Sequence, residues 1–193
     1  ATKITLEVVL TMIKKIEGTR INLRVHRGSD AVSIFRYASD EAVSRYTFIP
    51  HPYTIKHAHD FIKLARSTRR KKLAFHFGIE DKQNGEIIGG IGLEAIDHFH
   101  HKGEIGYWLA TPYWRQGIMT EAVNLILGFC FSEVNLHRVY AHVFPENAPS
   151  SMLLEKVGFT REGLLRQAAF KNGTFVDNYI YSILEHEWRQ RRR

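Results

Sequence analysis

A chain of 193 residues with 44% hydrophobic and 24% charged side chains can bury one sizeable core and is too evenly mixed for a disordered or fibrous protein. No apolar run approaches the roughly 20 residues of a membrane span. ITLEVVLTMI near the start carries Glu7 and is followed by its lysines, which argues against a secretory leader. A single cysteine excludes an internal disulfide framework and suits a cytoplasmic protein, while a formal charge of +7 points to anionic partners without naming one.

Residues 4–17 set Leu6, Val9, Leu10, Ile13 and Ile16 at helical spacing, although their β-branched content leaves a strand open. Residues 1–19 are therefore expected as a helical extension to one domain spanning 20–193. RINLRVH (20–26) alternates as a strand does. Ser29 and Asp30 can cap a helix to about Tyr37, SDEAVSRY (39–46) suggests a second, and the prolines of FIPHPY (48–53) break it. Thr54 then caps a longer helix that lines up Ile55, Ala58, Phe61, Ile62 and Ala65.

Beyond Leu73 the pattern changes. LAFHFGIE (73–80) and EIIGGIGLEAI (86–96) read as strands joined through Asn84-Gly85, a hairpin signal, and EIGYWLA (104–110) as a third. A helix over about 117–134, a strand HRVYAHVF (137–144), a helix SSMLLEKVG (150–158) stopped by Gly158, and strands over 160–169 and 174–184 follow. This order predicts a mixed α/β (α+β) fold whose sheet is largely antiparallel.

PYWRQGIMTEA (112–122) sets one glycine between a strand and a helix. A helix N-terminus offers unpaired amides and the positive end of the macrodipole, both suited to phosphate, and Gly117 lets the backbone come close. The Arg115 charge and the Thr120 hydroxyl could add contacts. GxxxxGK[ST] is absent, and GGIGLE (89–94) lies in mid-strand, so neither common nucleotide loop is present. A second block, PENAPSSMLLEKVGF (145–159), again follows a strand and opens a helix. Together EIGYWLATPYWRQGIMTEA and NAPSSMLLEKVGF resemble the GNAT superfamily of N-acetyltransferases over roughly 20–186. They look most like its ribosomal-protein N-terminal (alanine/serine) acetyltransferase branch.

That resemblance implies a GNAT-like sheet with a splayed strand pair holding acetyl-CoA as cosubstrate, and no metal. The family's R/Q-x-x-G-x-G/A pattern binds pyrophosphate through backbone amides. It falls here on Trp114, Arg115, Gln116, Gly117, Ile118 and Met119, with Trp114 and Met119 departing from the general form. The resemblance further implies that Trp108, Leu109 and Ala110 offer backbone to the pantetheine arm and an oxyanion donor, and that Asn147 bonds the same arm. Many members protonate the thiolate from a tyrosine whose place is Leu154 here; Ser150 is the expected substitute, with helix capping its competing role.

An amine must be neutral to attack, so a base is required. Glu104 is the candidate, against a plain surface carboxylate, with Glu162 and Asp177 in reserve. Tyr46, Phe48, Tyr53, Tyr107 and Trp108 would wall an acceptor pocket or simply pack a core. His98 and His100 alternate in DHFHH without a cysteine nearby, so a solvated loop is expected rather than zinc. His57 and His59 face different ways on a helix, and Cys130, inside LILGFCF, reads as a buried structural thiol.

Three readings follow. The first is acetyl transfer to the N-terminal amine of a protein, such as a ribosomal one. The second is transfer to a small amine: a polyamine, an amino acid or an antibiotic. The third is a non-catalytic module binding RNA or protein through ARSTRRKK (65–72) and RQRRR (189–193), runs that otherwise read as a solvated helix end and a frayed tail. The apolar stripe of 1–19 would pack on the domain or on a second subunit as a homodimer.

Overall fold

The structure, a computed structural model, describes residues 13–192. Its strands are β1 (Lys15–Glu17), β2 (Ile21–Arg24), β3 (Phe75–Asp81), β4 (Ile87–Asp97), β5 (Lys102–Leu109), β6 (Arg138–Val143), β7 (Thr160–Lys171) and β8 (Thr174–Leu184). The helices are α1 (Ala31–Ala38), α2 (Glu41–Arg45), α3 (Ile55–Arg70), α4 (Ile118–Gly128), α5 (Ala148–Val157) and α6 (Glu185–Gln190). One sheet orders the strands β1-β2-β3-β4-β5-β6-β8-β7. Every neighbouring pair is antiparallel except β5–β6, which is parallel. The predicted mixed fold and mostly antiparallel sheet are what the chain adopts.

The helix expected over 4–17 falls mainly outside the described residues, and its end is a strand instead. Lys15–Glu17 pair with Asn22–Arg24, so ladder bonds override helical spacing, and Ile16 turns inward onto the core. The turn after β1 is tied to α4. Glu121, in the first turn of that helix, accepts from the amides of Thr19 (2.5 Å) and Arg20 (3.0 Å).

Caps behave largely as the residue types demand. Asp40 caps α2 by accepting from the Ala42 amide at 2.9 Å, and the Thr54 hydroxyl accepts from the His57 amide at 3.3 Å. Asp30 does not cap α1. Its carboxylate is buried against the Arg24 guanidinium (2.8 and 2.9 Å), where a charged partner is worth more than a helix amide.

The main core lies on one face of the sheet, between the strands and α4 and α5. Phe75 and Phe77 each meet Phe129 edge-on at 5.3 Å between centroids, and Cys130 is fully buried as read. On the opposite face Ala31, Ile34, Ala58 and Ile62 of α1 and α3 cover Ile87. The basic runs are largely solvated, with Arg66, Arg70, Lys71, Arg189, Arg191 and Arg192 exposed, and Arg69 departs from the expectation. Arg69 is buried with its guanidinium over the Phe75 and Phe77 rings, and Arg192 lies over Trp188. Among the described residues, no helix is long and apolar enough to cross a membrane.

Candidate active site

The parallel pair holds for only three residues. Lys102–Glu104 register with Arg138–Tyr140, after which β5 runs on to Leu109 beside β4 and β6 to Val143 beside β8, no longer paired with each other. The result is a slit edged by backbone groups. Ala110 donates its amide to the Ile88 carbonyl at 2.8 Å, towards β4. In an antiparallel ladder alternate residues face alternate neighbours, so Trp108 also faces β4 while Tyr107 and Leu109 face the slit. Of the backbone expected from 108–110, Leu109 is therefore the residue turned to the opening. The Leu109 carbonyl accepts from the Trp114 indole at 2.7 Å, leaving its amide for a ligand.

Glu104 stands where the slit begins. One carboxylate oxygen lies 2.8 Å from Nδ1 of His142, the next residue on β6 to share its face. That hydrogen bond raises the imidazole pKa above its ordinary value, with partial burial acting against it. The reserve carboxylates are already committed. Glu162 accepts from Arg138 (2.7 Å) and Ser182 (2.8 Å), and the guanidinium holds its pKa below the usual range. Asp177 accepts the Gln167 amide at 2.7 Å inside the closing hairpin.

Adjacent strand residues point to opposite faces. Tyr107 accordingly turns away from Glu104 and places its hydroxyl 2.8 Å from the Ser150 hydroxyl of α5. Burial pushes the phenol pKa up, so it stays a proton carrier. Ser150 is free of the capping role, because the Asn147 side chain caps α5 by accepting the Ser150 amide at 3.3 Å.

Across the slit from α5 the sheet floors a cavity of about 840 Å³. Tyr46, Phe48, Tyr53 and Tyr107 are among its lining residues, and Glu94, Glu104 and Trp108 rise from its floor. Two glycines make the room. A Cβ on Gly90 would stand 2.6 Å from the Trp108 indole nitrogen, whereas one on Gly106 would meet nothing within 4 Å and project into open space. The wall is braced by Lys171 at the tip of β7, which donates to the carbonyls of Ser44 and Thr47.

At the far end of β5 the chain turns through Thr111–Tyr113 into the glycine junction. Arg115 (φ 59) and Gly117 (φ 78) both adopt left-handed backbone, and a Cβ at Gly117 would meet nothing within 4 Å. Glu121 makes the first helical hydrogen bond of α4, to the Gly117 carbonyl, so the amides of Ile118, Met119 and Thr120 lack helical partners. Such a run of free amides beside left-handed residues forms an anion-binding concavity. These residues fit a diphosphate.

Sequence reading did not single out His142, 38 residues from Glu104. Pairing β5 with β6 would have found it. Among the described residues no three His, Cys, Asp or Glu side chains converge as a metal site. His101 bonds the Asn135 carbonyl at 3.0 Å, inside the polar turn.

Residues 20–160 match the acetyltransferase (GNAT) domain family. An uncharacterized N-acetyltransferase, YoaA, of Bacillus subtilis (strain 168) is 35% identical, with 90% of this chain and 98% of that protein covered. The ribosomal-protein-S5-alanine acetyltransferase structure from Vibrio fischeri superposes with a TM-score of 0.80 at 29% identity, covering 90% of this chain and 98% of that one. A spermidine N(1)-acetyltransferase of Escherichia coli (strain K12) is 29% identical over 85% of this chain and 81% of its own. These likenesses join the slit, the amide cradle and the paired carboxylate, and they set the non-catalytic reading aside. The chain belongs to the GNAT family and is an acetyl-CoA-dependent N-acetyltransferase.

Proposed function

We propose that the acceptor is the N-terminal amine of a protein, a ribosomal protein being the leading case. The observation that carries this reading is the position of Glu104. It lies at the mouth of the slit, facing a cavity walled by aromatic side chains and wide enough for a peptide end. The likeness to the Vibrio fischeri enzyme supports the ribosomal assignment.

Bound acetyl-CoA supplies a thioester acetyl group, and its transfer forms a C–N bond and breaks a C–S bond. The amides of Gly117, Ile118, Met119 and Thr120, with Arg115 and Gln116 beside them, would hold its diphosphate. Glu104 takes the proton of the acceptor ammonium, and His142 fixes the carboxylate and passes that proton to solvent. The Leu109 amide, preorganised at the slit edge, stabilises developing oxyanion charge. Ser150, its hydroxyl held 2.8 Å from that of Tyr107, gives a proton to the leaving sulfur and is reprotonated by the second proton that the nitrogen sheds after attack. One proton thus reaches solvent and one reaches sulfur, which balances the conversion of an ammonium and a thioester into an amide and a thiol. Asn147 remains close to this path as the α5 cap.

A second reading, a polyamine acceptor, is favoured by one feature: Glu94 is in register with Glu104 on the cavity floor, so two carboxylates could receive a polycation. The likeness to the Escherichia coli spermidine enzyme supports it. The test has two stages. Calorimetry should show acetyl-CoA binding that Gly117→Val weakens at least about tenfold, because a β-branched residue at positive φ costs about 1–3 kcal/mol and blocks the cradle. Turnover on short peptides should then exceed turnover on spermidine. The opposite preference would overturn the N-terminal assignment.

A further inference from the structure

Asn178 lies on β8, is 7% exposed and lines the acceptor cavity. Its buried neighbours on the polar face are satisfied; Ser182, four residues on, donates to Glu162. The Asn178 carboxamide makes no side-chain hydrogen bond among the described residues, and it is not sealed off: the residue lines the cavity and its polar atoms are not among those fully buried without a partner. A carboxamide held at a cavity wall with no partner within the protein is served by water alone, so it marks a place where a ligand can complete the bonding.

We propose that Asn178 reads a peptide group of the acceptor, which rests on the reading of the acceptor as a protein N-terminus. A carboxamide offers one acceptor and two donors, the complement of a backbone amide, whereas a polyamine has neither a carbonyl nor an amide to match it. The spacing agrees. His142 pairs with Ile180, and Asn178 lies one step further along the same face, about 7 Å on. Consecutive peptide groups are about 3.8 Å apart, so an acceptor whose amine sits at Glu104 and His142 brings its first or second peptide group to this wall. The contact would favour a peptide over any simple amine that fits the same cavity.

The experiment compares wild type with Asn178→Leu, which keeps the volume, and Asn178→Ala. Three readouts are taken: kcat/KM on a tetrapeptide with a free N-terminal alanine, kcat/KM on spermidine, and the melting temperature. The expected result is a loss of about tenfold on the peptide, equivalent to ~1.4 kcal/mol, with spermidine turnover and acetyl-CoA affinity unchanged. The melting temperature of Asn178→Leu should hold, because the volume is kept and the carboxamide makes no hydrogen bond within the protein that would be lost. Unchanged peptide turnover, an equal loss on both acceptors, or a marked fall in melting temperature in both variants would overturn the proposal while leaving the N-terminal reading in place. A wild-type protein that transfers nothing to the peptide would overturn both, and that is seen before any variant is made.

Discussion

The two faces of the central strands are made from alternate residues of the same segments, yet they obey different rules. On β3 the face towards α4 and α5 carries Phe75, Phe77 and Ile79, all fully buried, while the opposite face carries His76 and Gly78. On β5 the packed face carries Ile105, and the open face carries Glu104, Gly106 and Trp108. One face is filled to the density of a crystal, so its residues set stability. The other is kept empty by glycine and charged by glutamate and histidine, so its residues set chemistry. A substitution moved by a single position should change which property suffers.

The largest expected effect is on the open face. Glu104→Gln should lower kcat/KM by about 10²–10⁴-fold, the usual worth of a positioned base, with acetyl-CoA affinity and melting behaviour unchanged. A variant within threefold of wild type would remove Glu104 from the reaction. On the packed face, Phe77→Ala should cost about 3–5 kcal/mol in urea unfolding while leaving turnover per folded molecule alone. Equal damage to both properties would show that the faces are not separable.

His26 tests where the division fails. It is 3% exposed, both ring nitrogens lack partners, and burial lowers its pKa to about 4. The unfolded imidazole binds a proton near pH 6.5, so stability is complete above that value and falls as the pH drops towards 4. The total loss is about 3 kcal/mol. His142 acts in the opposite sense: its raised pKa adds stability below pH 6.5 that is lost as the pH rises through the folded value, and its partial exposure keeps that small. Denaturant curves at pH 7 and pH 4.5 should therefore differ, and His26→Phe should narrow the gap. No narrowing would place the acid sensitivity elsewhere. Smallest is Gly106→Leu, which should raise the acceptor KM about tenfold by filling the cavity and leave acetyl-CoA binding intact.

Much of this was legible because the signals are local. Gly117, the hairpin at Asn84-Gly85 and the αL stop at Gly158 are visible in a few residues each, and Gly117 and Gly158 do take positive φ. The strand EIGYWLA was legible too, and Tyr107 and Trp108, named from it as walls, both line the cavity, while the Tyr107 hydroxyl reaches Ser150. What could not be read depends on neighbours far away in the chain. His142 acquires meaning only once β6 lies beside β5, Arg69 looks like one more surface cation until Phe75 and Phe77 are beneath it, and β1 exists only because β2 offers it a ladder. The carboxamide of Asn178 is ordinary in sequence and conspicuous only at the cavity wall, where it has no partner from the protein.

Glu121 has one more consequence. A carboxylate in the first turn of a helix is attracted to that helix's own positive end, where it would act as a built-in rival to any incoming phosphate. Here the Thr19 and Arg20 amides hold it to the side. The β1–β2 turn thus works as a restraint on a competitor: it keeps a resident anion occupied and away from the amide end of α4.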